Sequence, residues 1–216
     1  MDNIKTLIQG HEEFQSVKFA KNEERFKTLV EKGQSPKALF IGCSDSRVMP
    51  ALITNSKAGD LFIARNIGNF VAPFDPNVDY HATASAIEYA VSVLEVSDII
   101  VCGHSECGAI AALFKEIEPN EENLHTIKWL ELGESAKRSA LLSHKGRPKQ
   151  EILEHTERIS VIFQLENLLT YPAVKRRVAD SSLFLHGWHY DIRDGKIEYY
   201  DEKDYEFKEL TEKVTH

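Results

Sequence analysis

Short apolar runs set between longer amphipathic stretches give this chain its rhythm. Ala38-Leu39-Phe40-Ile41, closed by Gly42, has no polar alternation and predicts a strand buried on both faces. Leu61-Phe62-Ile63-Ala64 and Ile99-Ile100-Val101-Cys102 predict two more of the same kind. Between those two, Ala86, Ile87, Ala90 and Leu94 recur at helical spacing, so Ala82 through Leu94 is predicted to be a crossover helix. Strand, helix, strand in that order predicts a parallel sheet.

Upstream, Phe14, Val17, Phe26, Leu29 and Val30 stand among many Lys and Glu and predict one or two amphipathic helices. Gly33 is expected to end them, since glycine tolerates the left-handed cap conformation. Downstream, Ile152, Ile159, Ile162, Phe163 and Leu165 predict a helix over 151–169, and Pro172 is placed to open the next. Leu183 to Tyr190, a turn at Arg193-Asp194-Gly195, and Ile197 to Tyr200 predict a hairpin. Polar and breaker-rich stretches at 118–123 and 143–148 read as loops. The expected fold class is α/β: a central, mostly parallel β-sheet with an antiparallel C-terminal edge strand, flanked by helices. A single domain over 1–216 is expected, with a helical arm at 1–33 and an α/β core at 34–216.

Composition narrows the function. A chain of 216 residues, 42% hydrophobic, can bury one substantial core. A formal charge of -8, with no dense basic patch, argues against a nucleic-acid partner. No apolar run approaches the roughly 18 residues of a membrane span, and the N-terminus is polar and charged, so no membrane partner is expected. The cysteines are Cys43, Cys102 and Cys107, an odd number that fits reduced thiols or metal ligands and a cytoplasmic location.

Two clusters of metal-capable residues follow directly on predicted parallel strands, at the strand ends where sites form in open α/β sheets. The first is Cys43-Ser44-Asp45-Ser46-Arg47, whose alternate side chains would share a side in extended backbone. The second is His104-Ser105-Glu106-Cys107-Gly108, where a spacing of three at a helix start makes His104 and Cys107 neighbours. Zinc favours thiolate and imidazole, and a catalytic zinc keeps three protein ligands and one open position. Cys43, His104 and Cys107 would supply that set. Two thiolates would leave the first shell nearly neutral and its water less acidic, which favours activity at alkaline pH. Asp45 could close the site as a fourth ligand, or pair with Arg47 and orient the nucleophile. Alone, a strand-end Cys is usually a buried small hydrophobe and an Asp-x-Arg a surface pair; two such clusters together, at the ends of adjacent strands, carry more weight. Cys102, read as facing away from the ligand positions, is expected in the core. His81, His125, His144, His155 and His189 read as surface or boundary residues.

These two clusters, separated by a strand, a helix and a strand, resemble the signature of β-class carbonic anhydrases. The resemblance is strongest from Gln34 to Gly108, and Ala64-Arg65-Asn66-Ile67-Gly68-Asn69, Ala86 to Ala90 and the Gly187-Trp188 hairpin are also similar to family segments. It implies Cys43, His104 and Cys107 as zinc ligands and Asp45 with Arg47 as a catalytic dyad. The implied reaction is reversible hydration of carbon dioxide to bicarbonate and a proton, by attack of zinc-bound hydroxide. Gln34, Phe62 and Tyr89 stand where the plant-like subclass carries its substrate-pocket Gln, Phe and Tyr, with Ile67 and Gly108 completing the lining. Phe40 stands where the other subclass, which closes its zinc with the aspartate and binds bicarbonate allosterically, carries Trp. The resemblance therefore implies the open site. Val93 replaces a His that some plant members use to shuttle protons, which leaves that role unassigned. A homodimer or homotetramer, with N-terminal helices wrapping the partner, is implied as well. The alternatives are a same-fold hydrolase of carbonyl sulfide or carbon disulfide, or a non-catalytic zinc-binding protein; a redox protein is disfavoured for want of Cys-x-x-Cys.

Overall fold

The computed structural model describes residues 2–79 and 81–211. Met1, Tyr80 and residues 212–216 of the expected single domain lie outside the described residues. The chain opens with α1 (Asp2–Glu13), a π-helical stretch over Phe14–Phe19, and α2 (Glu23–Lys32). Gly33 ends α2, but its φ of 77° comes with a ψ of 177°. That is an extended backbone of positive φ open essentially to glycine alone, rather than the expected left-handed cap.

The core is one sheet of β1 (Ala38–Cys43), β2 (Leu61–Asn66), β3 (Asp98–His104), β4 (Phe184–Tyr190), β5 (Ile197–Asp201) and β6 (Glu206–Glu209), in the order β2-β1-β3-β4-β5-β6. β1 runs parallel to β2 and β3, and β3 parallel to β4, whereas β5 and β6 add antiparallel. The α/β class is as expected, with two corrections. The antiparallel edge has two strands, because a four-residue β6 follows β5 in a segment too short and charged to signal itself. β2 lies at the other edge and is only half-buried; all six residues of β1 are buried. An apolar run has the same composition whether a strand has neighbours on one side or both.

The crossover helix α4 (Ala82–Glu88) widens into a π-helical turn at Tyr89–Val93, closed by the Leu94 amide donating to the Tyr89 carbonyl at 3.0 Å. Short helices α3 (Pro50–Ile53), α5 (Gly108–Leu113), α6 (Leu124–Leu130) and α7 (Glu134–Ser143) precede α8 (Lys149–Leu168) and α9 (Pro172–Ala179). Pro172 stands in the first turn of α9, where its missing N–H costs nothing. Odd-numbered residues of the central strands, Leu39, Ile41, Ile99 and Val101, join α4 and α8 in the main core. Ala38, Phe40, Ile100 and Cys102 form a second cluster on the opposite face.

Helix α8 packs unusually close to the sheet, and glycines make the approach possible. A Cβ on Gly103 would lie 2.7 Å from a methyl of Val161 and 3.3 Å from the Glu157 carbonyl. One on Gly187 would lie 3.0 Å from Val161 and 3.1 Å from Leu165. Two glycines on neighbouring strands thus let α8 lie directly on the backbone beside the carboxyl end of β3.

Candidate metal centre

Cys43 is the last residue of β1, and there the chain stops being extended. The Val48 amide donates to the Asp45 carbonyl at 2.9 Å, and the Arg47 amide donates to Asp45 Oδ1 at 2.9 Å. Asp45 and Arg47 therefore meet through a side-chain-capped turn, which replaces the expected strand alternation as the reason they converge. Their side chains form a two-pronged pair, Nε to Oδ1 at 2.9 Å and Nη2 to Oδ2 at 2.7 Å. Arg65, on β2 and in register with Gly42, fixes the same turn by donating to the carbonyls of Cys43 at 2.9 Å and Asp45 at 2.6 Å.

The second turn leaves the end of β3. His104 belongs to the strand and Cys107 is the N-cap of α5, so the spacing of three spans a tight turn and not a helical one. Glu106 makes that turn at φ 57°, a left-handed conformation uncommon for a residue with a side chain. Four hydrogen bonds hold it. The Ser105 amide donates to the Tyr190 carbonyl at 3.0 Å, and its hydroxyl donates to Asp191 Oδ1 at 3.0 Å while accepting from the Ile192 amide at 2.9 Å. The Cys107 amide donates to Glu157 Oε1 on α8 at 3.1 Å. Arg47 Nη2 donates to the Glu106 carbonyl at 3.0 Å and ties the two turns together.

The turns bring Cys43 Sγ, a nitrogen of His104 and Cys107 Sγ within 4.8 Å of one another, all three residues buried. His104 Nδ1 lies 2.9 Å from the Ser105 carbonyl, which assigns its proton to that nitrogen and turns Nε2 toward the thiols as an acceptor. Nε2 is buried without a hydrogen-bond partner. An orphaned imidazole nitrogen beside two thiols is a donor set that fits a soft divalent ion. The Cys107 thiol, with smaller contributions from the nearby His104 ring and the backbone of Asp45 and Gly68, pulls the Cys43 thiol down against its burial. The resulting thiolate, with burial, pushes Cys107 up, and the pair shares a proton that a cation would displace. The His104 ring, lowered by burial, is raised on balance by the adjacent Cys43 sulfur and its charge. Arg47 holds the Asp45 carboxyl well below the usual carboxylate range.

Asp45 stands apart from this group, both its oxygens taken by Arg47. Cys102 is core as expected, its thiol pushed up to about 12 by burial. Strand alternation nevertheless puts it on the same face of β3 as His104, two residues deeper, and not on the opposite one. Of the pocket residues, Phe62 and Tyr89 stack with ring centroids 5.8 Å apart. Ile67 lines a separate groove of about 480 Å³ with Ser44, Asn66, His81 and Trp129. Gln34 and Gly108 are exposed. Neither of the two main cavities of the described residues gathers all five. His81 caps α4 by accepting from the Ala84 amide at 3.2 Å. His189 corrects the sequence expectation, being 1% exposed. Glu157 and Asp191 were not singled out by sequence reasoning, and Arg65 and Ser105 entered it only as members of the Ala64–Asn69 segment and of the second cluster, with no role of their own.

A family model described as carbonic anhydrase matches residues 38–197. A carbonic anhydrase of Pseudomonas aeruginosa is 39% identical over 209 residues, 97% of this chain and 93% of that protein. The solved β-carbonic anhydrase CcaA superposes with a TM-score of 0.92 at 37% identity, covering 99% of this chain and 94% of that one. A tetrameric β-carbonic anhydrase of Sordaria macrospora gives a TM-score of 0.80 at 29% identity, covering 92% of this chain and 97% of that one.

Proposed function

The chain belongs to the β class of carbonic anhydrases, and from that premise we propose that a zinc ion held by Cys43, His104 and Cys107 carries its reversible hydration of carbon dioxide. The observation that carries the metal assignment is the buried, unpartnered Nε2 of His104 within 4.8 Å of the two thiols. When bound, zinc would supply a Lewis acid that makes water acidic enough to serve as hydroxide, the nucleophile toward carbon dioxide, at alkaline pH, the two thiolates holding that acidity below what a three-imidazole site gives.

The protein's own contribution is orientation. Asp45 stays ionised through the working pH range because Arg47 holds its carboxyl low. Its Oδ1 already accepts from both the Arg47 amide and Nε, so it is Oδ2, taken once by Nη2, that keeps a lone pair for the nucleophile. That carboxylate accepts the O–H of the nucleophile and turns the attacking lone pair toward carbon. Arg47, anchored on the Glu106 carbonyl, fixes the carboxylate relative to both ligand turns. The commitment of Asp45 to Arg47 supports the open, plant-like site, and it deprives a non-catalytic zinc protein of its fourth ligand. No observation favours hydrolysis of carbonyl sulfide or carbon disulfide.

The substrate pocket is assigned to Gln34, Phe62, Ile67, Tyr89 and Gly108. Carbon dioxide is small and apolar, so aromatic and aliphatic walls hold it with little polar help. Ile67 at 46% and Tyr89 at 45% exposure are apolar surfaces that an assembly would cover, as are Leu7 and Ile8 of α1. A homodimer or homotetramer is proposed on that ground, the Sordaria relative being a tetramer. One domain spanning the whole chain and a cytoplasmic location accord with a single sheet and three free cysteines. No helix of the described residues is long and apolar enough to cross a membrane.

Stopped-flow hydration of carbon dioxide across pH, with zinc content measured on the same sample, tests the reading. Activity rising toward alkaline pH in protein with one zinc per chain is the expected result. A zinc-loaded chain inactive at alkaline pH would contradict it.

A further inference from the structure

The mechanism leaves one buried carboxylate unused. Glu157 is 6% exposed in the middle of α8, and the glycine contacts of that helix bring it to the backbone of the second ligand turn. Its Oε1 accepts from the Cys107 amide at 3.1 Å, and its Oε2 is buried with no hydrogen-bond partner. His189, on β4 in register with Gly103, presents Nε2 to that oxygen at 3.7 Å. The other ring nitrogen, Nδ1, lies 3.5 Å from Glu198 Oε2, and Arg158 holds Glu198 with Nη2 at 2.7 Å. A carboxylate, an imidazole, a second carboxylate and a guanidinium therefore run in sequence from the peptide of a metal ligand to the edge of α8.

Burying a carboxylate is costly unless it is paired, and a cost at this place implies a use. The Cys107 peptide is where use is plain. It follows the left-handed Glu106 and starts α5, and no strand or helix partner fixes its N–H. We propose that Glu157 is the positioning residue of the metal centre: by holding the Cys107 N–H, with His189 and Glu198 behind it, it sets the thiol of Cys107 where the ion is bound. The inference rests on the metal assignment above. Partners of this kind in the outer shell of metal sites are typically worth 10- to 100-fold in affinity.

The test measures zinc affinity of the full chain by competition with a chromophoric chelator, and the sulfur-to-metal absorption bands of the cobalt-substituted protein. Glu157→Leu is expected to weaken zinc binding 10- to 100-fold and to shift those bands. Glu157→Gln keeps an acceptor for the amide and is expected to stay within about threefold of wild type, on the same scale of outer-shell effects. Leu168→Ala, a cavity in the same helix remote from the turn, controls for loosened packing and is expected to bind zinc as wild type does. Wild-type affinity in Glu157→Leu overturns the proposal, and so does equal loss in Glu157→Gln or in Leu168→Ala. Should Glu157→Leu not fold, amide exchange of the zinc-loaded wild type decides: the Cys107 N–H must be protected, and free exchange there overturns the inference. Wild-type protein that takes up no zinc would instead overturn the metal assignment.

Discussion

The two turns that carry the proposed metal ligands are held by opposite chemistry. The Cys43 turn is partly exposed and pinned by arginines, with Arg47 on the Asp45 carboxylate and Arg65 on two main-chain carbonyls. The His104–Cys107 turn is buried and pinned by acceptors, with the Asp191 carboxylate on Ser105 and the Glu157 carboxylate on the Cys107 amide. Positively charged donors suit the first because it presents two main-chain carbonyls and the Asp45 carboxylate. Carboxylates suit the second because a turn that starts a helix presents unsatisfied amides. In the proposed mechanism the first turn presents a reacting group and the second holds ligands still.

That contrast can be broken most severely at the ligands themselves. Cys43→Ser is expected to remove most bound zinc and with it nearly all hydration activity, as read by metal content and stopped-flow assay; zinc at one per chain in the variant would contradict the assignment. Asp45→Asn strikes only the presenting function. It is expected to keep zinc and lose about 100-fold or more in kcat, the scale of a misplaced acid–base or orienting group. Full activity in that variant would remove the dyad from the account.

The holding turn answers to packing. Gly103→Ala forces α8 off the end of β3, and thermal unfolding is expected to show a loss of about 1–3 kcal/mol, the usual cost of overpacking. An unchanged Tm would mean that Val161 and Glu157 yield freely. The smallest expected effect is electrostatic. The Arg193 guanidinium beside Asp191 holds that carboxyl well below the usual range of about 3.9. Because the folded value is the lower one, the contribution is complete above the unfolded value and fades as pH falls through the folded one. Asp191→Asn should therefore flatten the rise of stability with pH in the acid limb while leaving the slope above about pH 5 alone. Parallel denaturation profiles in acid would refute it.

What the sequence revealed about the site follows the same division. Asp45 and Arg47 are two residues apart, so their partnership is local and legible, even though a turn rather than a strand brings them together. Glu157 is separated from Cys107 by 50 residues and Ser105 from Asp191 by 86. The first meeting depends on how closely α8 approaches the sheet, which two glycines decide, and the second on β3 and β4 pairing in parallel with His104 opposite Tyr190; no periodicity announces either. The same limit applies to the fold. Strongly periodic or wholly apolar segments such as β1, β3 and α8 were legible, whereas the edge position of β2 and the existence of β6 depend on neighbours rather than on their own residues. Of the five residues that the resemblance assigns to the substrate pocket, Phe62 and Tyr89 stack, Ile67 lines a groove, and Gln34 and Gly108 are exposed.

Zinc-edge X-ray absorption of the purified wild-type protein tests the central claim most directly. Two sulfur scatterers at about 2.3 Å with two nitrogen or oxygen scatterers at about 2.0–2.1 Å are the predicted shell, one of the latter being solvent. A shell with no sulfur, or with four sulfurs, would contradict a centre built from Cys43, His104 and Cys107.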